Sequence, residues 1–174
     1  KDGQNEHLWY NPETMSRLAD ELAKVFSKKM PSRKAEFKQN AAAYKKKVAR
    51  LNSELEKIRA ERIEKPVAVS EPVFDYSLEK MSYKVANAHF AKAVEEESDP
   101  SYTDIKNLQN KIKRKEIAFF VYNVQSDGTT VKNIVNLCKK HDIPVVKVTE
   151  TLPEGKNYFN WLQSEYRQIA EIEK

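Results

Sequence analysis

Two glutamates follow short apolar runs that are typical of buried β-strands. Glu71 comes two residues after the run Val67–Val69, and Glu150 comes two residues after the run Val145–Val148. Paired carboxylates act in proteins as a general acid and base, as metal ligands, or as partners in salt bridges. The residue types alone leave these three interpretations open.

A third apolar run, Ile117–Tyr122, ends at Asn123. If the three runs are parallel strands, their carboxyl ends meet at one edge of the sheet, where such folds bind ligands. Ser70, Asn123 and Thr149 then lie beside the two glutamates, and we expect them to orient the carboxylates. Glu71 precedes a proline, which favours an extended backbone there.

The remaining reactive residues are few. His7, His89 and His141 are the histidines, and His141 lies at a polar helix end where a cation suits the helix dipole. The single Cys138 excludes an internal disulfide framework and a cysteine-based zinc finger. The sequence contains no glycine-rich phosphate loop and no nucleophile elbow. We therefore expect a protein that is not an enzyme.

Composition indicates a folded domain with a polar surface. The 174 residues are 40% hydrophobic and 33% charged, and no stretch approaches the roughly 18 apolar residues of a membrane helix. The net charge of +5 is a mild basic excess. Lys45, Lys46, Lys47 and Arg50 are the basic residues that could contact a nucleic acid, but several glutamates share their predicted helix. We expect a solvated charged face there and no nucleic acid partner.

The first half of the chain is predicted to be helical. Asn11 followed by proline is typical of a helix start, and this helix is expected to end near Lys29. Ser32 is the expected cap of a second helix, in which seven apolar residues from Phe37 to Ile58 are separated by alternating steps of four and three. Spanning about 33–63, it is on the order of 45 Å long, more than a compact domain of this size needs. It is either half of a coiled coil or a strut that spans two lobes, and the strut is favoured.

The second half alternates strands with helices, which predicts an α/β fold with a parallel sheet flanked by helices. Counting a weak candidate at Tyr83–Val85, the sheet has about four strands. The chain then divides into three parts. Residues 1–32 form a leading segment with the first helix, residues 33–65 form the long helix, and residues 66–174 form an α/β lobe.

Four segments, taken in order, resemble the C-terminal part of the metal-binding solute-binding lipoproteins that supply zinc or manganese to bacterial ABC importers. The resemblance extends over nearly the whole chain, from Asn5 to about Ile172. Residues 7–12 match the family's His-x-Trp-x-x-Pro element, and residues 37–58 match its backbone helix between the lobes. Residues 69–74 and 148–151 match the segments that carry the third and the fourth metal ligand.

The resemblance implies a metal site. His7 is the second histidine ligand, Glu71 the third ligand and Glu150 the fourth, although the family typically has aspartate at the last position. The family's first histidine and its N-terminal lobe have no counterpart here. The chain thus resembles a fragment that holds at most three of four ligands. One imidazole and two carboxylates suit Zn²⁺ or Mn²⁺ far better than Cu⁺.

The resemblance also implies partners and a location. The partners are the divalent metal ion, the membrane subunit of an ABC importer and the missing N-terminal lobe. The location is extracytoplasmic, either lipid-anchored on a Gram-positive cell or periplasmic. The apolar face of the long helix that met the missing lobe is expected to be exposed. The alternative is an adhesion or protein-interaction module without a functional metal site.

Overall fold

Two helices form a hairpin that precedes the sheet. The computed structural model describes residues 5–126 and 128–173. The two helices of the hairpin are α1 (Pro12–Lys29) and α2 (Lys34–Glu61). Asn11 caps α1 by accepting a hydrogen bond from the Glu13 amide at 3.1 Å. The predicted cap of α2 is wrong, because Ser32 lies inside a short 3-10 turn and α2 begins without a side-chain cap.

The α/β part follows in the expected order. A 3-10 turn, Leu8–Tyr10, precedes the hairpin, and another, Pro72–Phe74, follows the first strand. The elements after the hairpin are β1 (Ala68–Val69), α3 (Asp75–Lys80), α4 (Ala88–Glu95), α5 (Tyr102–Lys113), β2 (Phe120–Asn123), α6 (Thr129–Lys140), β3 (Val145–Val148) and α7 (Tyr158–Ile172). No helix in the two described ranges is both long and apolar enough to cross a membrane.

The sheet is parallel and has the order β1-β2-β3. The described residues form three strands, one fewer than the sequence suggested. The fourth candidate contributes only an isolated parallel bridge between Val67 and Val85. This strand does not continue, because the side chain of Asn87 takes the place of a strand backbone beside Val69. It accepts from the Val69 amide at 3.0 Å and donates to the Val69 carbonyl at 2.8 Å. The next helix, α4, begins immediately after it.

Helices cover both faces of the sheet. Alternation along each strand sends Val69, Val121 and Val148 to one face, where they pack with the second half of α2, α3 and α7. Ala68 and Phe120 face the other side, where α4, α5 and α6 pack. Helix α1 packs against α2, and Phe26 of α1 contacts Phe37 in the first half of α2. Helix α2 therefore connects α1 to the sheet.

The exposed apolar side chains of the hairpin are concentrated on α1. Leu18, Leu22 and Val25, which recur at helical spacing, are 46%, 44% and 46% exposed. The uncovered face was expected on the long helix. Every residue of α2 is described, and none of its large apolar side chains is exposed, so the uncovered apolar surface of the hairpin belongs to α1.

Candidate metal site at the carboxyl end of the sheet

A cleft of about 680 Å³ opens at the carboxyl ends of the three strands. His7, Glu71, Asn123 and Glu150 all line it. The parallel register brings them to one edge, although the first and last are 143 positions apart in the sequence. Of the other histidines, His89 lines a separate cavity beside α5, and His141 caps the end of α6.

The His7 ring is only 3% exposed, and its surroundings determine which nitrogen carries the proton. Its Nδ1 lies 2.8 Å from the amide oxygen of Asn5, and its backbone amide donates to the same oxygen at 2.9 Å. An amide oxygen only accepts, so the neutral ring holds its proton on Nδ1 and its lone pair on Nε2. Nε2 lies 3.8 Å from the Glu150 carboxylate and is the nitrogen available to a metal.

Asn5 ties the histidine to the segment that carries Glu71. Its side-chain nitrogen donates to the Pro72 carbonyl at 2.6 Å, and its own carbonyl accepts from the Tyr76 hydroxyl at 2.7 Å. A flipped amide would place NH₂ against two donors of His7, so these contacts define its orientation. Asn5 was not predicted as a site residue from the sequence. The available signal is its place two residues before a histidine, because Asn side chains form local turns with the residues that follow.

Glu71 has the extended backbone expected before a proline, with φ −149° and ψ 160°. The Asn123 side chain donates to its carboxylate at 3.3 Å, and the buried Ser70 hydroxyl accepts from the Asn123 backbone amide at 2.9 Å. Asn123 thus contacts the carboxylate directly, whereas Ser70 positions Asn123.

Glu150 is held through the residue before it. The Thr149 amide donates to Glu165 at 3.1 Å, and the Thr149 carbonyl accepts from the Tyr10 hydroxyl at 2.6 Å. The Thr149 hydroxyl is buried and has no hydrogen-bond partner in the part of the chain that the structure describes. Its backbone, not its side chain, therefore anchors the segment.

Negative charge is concentrated at the cleft. Glu95, another residue that the sequence analysis missed, lies 3.7 Å from His7 Nδ1 at the cleft rim. Burial raises the pKa of Glu95, and Glu6 and Glu71 raise it further, against a lowering effect of His7. In the sequence Glu95 begins a run of three glutamates, which is typical of a solvated helix end. The arrangement favours a cation.

The donor set fits a divalent transition metal, but its members are not gathered around a common point. Imidazole nitrogen with carboxylate oxygens suits Zn²⁺ or Mn²⁺. Within residues 5–126 and 128–173, no group of three or more His, Cys, Asp or Glu side chains is placed to hold a metal ion. His7, Glu71 and Glu150 share the cleft without forming a coordination shell.

A parallel sheet with a cleft at its carboxyl edge, preceded by a long helix, is the architecture of part of a two-lobed metal-binding protein. Residues 1–172 match the family described as ZnuA, zinc-uptake complex component A, periplasmic, and the chain belongs to that family. It is 29% identical over 184 residues to the manganese ABC transporter substrate-binding lipoprotein PsaA of Streptococcus pneumoniae serotype 4, covering 98% of this chain and 58% of that protein.

Solved structures share the fold. The periplasmic zinc binding protein TroA from Treponema pallidum superimposes with a TM-score of 0.74 at 15% identity, covering 96% of this chain and 63% of that one. The laminin binding protein Lmb of Streptococcus agalactiae, described as having adhesin and metal transporting activity, gives 0.72 at 19% identity, covering 94% and 63%. The chain spans about three fifths of these relatives. The lipoprotein and periplasmic descriptions agree with the expected extracytoplasmic location.

Proposed function

We propose that this chain provides one wall of a cleft that captures Zn²⁺ or Mn²⁺ outside the cytoplasm for delivery to the membrane subunit of an ABC importer. His7, Glu71 and Glu150 are its ligands, and a further lobe completes the site. Residues 66–174 form the C-terminal lobe, residues 33–65 the strut between lobes, and residues 1–32 the segment that brings in the histidine. The role is capture without catalysis.

The observation that carries the proposal is the state of His7. A buried imidazole whose Nδ1 proton is bound to an amide oxygen, and whose Nε2 lone pair faces a carboxylate 3.8 Å away, has the arrangement typical of metal-binding histidines. Asn123 adds a second orienting contact, to Glu71. Ser70 and Thr149 contribute less directly, by holding Asn123 and the backbone before Glu150.

Calorimetric titration of the metal-stripped chain with Zn²⁺ and with Mn²⁺ tests the proposal. We expect weak one-site binding that Glu71→Gln abolishes, because the substitution removes a charged ligand and keeps the side-chain shape. Glu154→Gln is the matched control, since Glu154 follows the same strand as Glu150 but does not line the cleft. A wild-type chain that binds neither metal at millimolar concentration would contradict a partial site in this chain. An equal loss of metal affinity in Glu71→Gln and Glu154→Gln would contradict it as well.

The second candidate is an adhesion or protein-interaction module, and the uncovered apolar face of α1 favours it. The two functions make different predictions for thermal unfolding. Metal capture predicts that Zn²⁺ raises the melting temperature of the wild-type chain and leaves that of Glu71→Gln unchanged. An interaction module with inert carboxylates predicts no shift in either chain.

A further inference from the structure

A carboxyl group is buried outside the cleft, on the apolar face of α7. Glu165 is 4% exposed. Its Oε1 accepts from the Thr149 amide at 3.1 Å and from the Trp161 indole at 2.8 Å, and its Oε2 lies 3.0 Å from the Tyr10 hydroxyl. The same Tyr10 hydroxyl lies 2.6 Å from the Thr149 carbonyl oxygen.

Both short contacts of the Tyr10 hydroxyl contain a hydrogen only when the Glu165 carboxyl group is protonated. Tyr10 has one hydroxyl proton and faces two oxygens, the Thr149 carbonyl and Glu165 Oε2. If the carboxylate is ionised, only one of these short contacts contains a hydrogen. If Glu165 is protonated, it donates to Tyr10, Tyr10 donates to Thr149, and every polar atom named here is satisfied.

The cluster joins the two ends of the proposed site. Tyr10 follows His7 by three residues in the same 3-10 turn segment, and Thr149 immediately precedes Glu150. We propose that Glu165 is a positioning residue which, in its protonated form, locks the segment of His7 to the segment of Glu150. Its meaning for metal capture rests on the proposed function, whereas the lock itself does not.

The surroundings favour the protonated form. Burial, the largest effect, raises the pKa of Glu165 to about 7, although its hydrogen bonds and Lys156, in the loop before α7, act in the opposite direction. The neighbouring titratable hydroxyls belong to Tyr10, in the 3-10 turn, and to Tyr166, on α7 itself. Burial raises the pKa of both hydroxyls, and the charge of Glu165 raises each pKa further. The lock is therefore complete below neutral pH and loosens as the pH rises through about 7.

Amide hydrogen exchange on the metal-free chain at pH 6 and pH 8 tests the lock. After correction for intrinsic exchange rates, we expect protection of residues 7–10 and 148–151 to fall together by about tenfold at pH 8, the effect of losing one hydrogen bond in a buried network. In Glu165→Gln the amide supplies the same donor and acceptor at every pH, so protection is expected to stay constant.

Tyr10→Phe is the second variant, because it removes the shared hydroxyl and keeps the ring. It is expected to lower protection of both segments at both pH values. Protection that changes in only one segment, or a Glu165→Gln chain that keeps the wild-type pH dependence, overturns the proposal. Since the readout needs no metal, failure of metal binding would refute the proposed function and leave this measurement interpretable.

Discussion

Replacement of Asn5 by alanine is the sharpest test of the metal site. The substitution removes three hydrogen bonds: those from His7 Nδ1 and the His7 amide to the Asn5 oxygen, at 2.8 and 2.9 Å, and the 2.6 Å bond to the Pro72 carbonyl. The imidazole then loses both its tautomer preference and its connection to the Glu71 segment. No proposed ligand is changed.

The expected loss is substantial for a residue that does not bind the metal. Outer partners of metal-binding histidines are each worth about 10- to 100-fold in affinity, which corresponds to about 1.4–2.8 kcal/mol. The three lost hydrogen bonds, at about 0.5–1.5 kcal/mol each, also destabilise the fold by about 1.5–4.5 kcal/mol. Affinity and stability must therefore be measured separately.

The assay is Zn²⁺ titration at a temperature where every variant is folded, together with ¹⁵N NMR of the imidazole to identify the tautomer. Asn11→Ala is the control, because it removes a helix cap that accepts at 3.1 Å and lies outside the cleft. It is expected to cost about 1 kcal/mol of stability without changing affinity.

Asn5→Asp keeps an acceptor for Nδ1 and is expected to bind Zn²⁺ better than Asn5→Ala. The reasoning is refuted if Asn5→Ala binds within twofold of the wild-type chain, or if its imidazole keeps the proton on Nδ1.

Other parts of the molecule make independent predictions. Asn87→Ala leaves the buried amide and carbonyl of Val69 unpaired, and urea denaturation should show a loss of about 2–4 kcal/mol. Burial, with a smaller contribution from Glu79, raises the pKa of Asp75 to about 6. The stability contributed by protonated Asp75 is thus complete below about pH 4 and is lost as the pH rises through 6. The Asp75→Asn chain should therefore be more stable than the wild-type chain by about 1–3 kcal/mol at pH 8, with no gain at pH 4. Burial also raises the pKa of Cys138 to about 12, so a thiol reagent should label it only upon unfolding; rapid labelling of the native chain would contradict this.

The sequence predicts the local elements well where a local signal exists. The Asn-Pro pair marked the start of α1, and the four-three spacing marked α2 within a few residues of its ends. Alternation of strands and helices predicted the parallel sheet, and the residues after the strands predicted the cleft. Each of these signals is contained within one segment of the chain.

The features that were missed depend on contacts between distant segments. Helix α4 is short and lacks a side-chain cap, because the Asn87 side chain that precedes it is bound to β1. Glu165 was unremarkable in sequence, since its role requires Tyr10 and Thr149, which lie 155 and 16 positions away. The partners of a buried polar group cannot be inferred from its own helix.

The helical hairpin has a mechanical consequence. Its first helix starts at Pro12, five positions after His7, and its 18 residues extend about 27 Å. Tyr10 lies between the histidine and this helix, is fully buried, and is hydrogen-bonded to Thr149 and Glu165. A force on the exposed apolar face of α1 therefore meets an anchored residue before it reaches the imidazole.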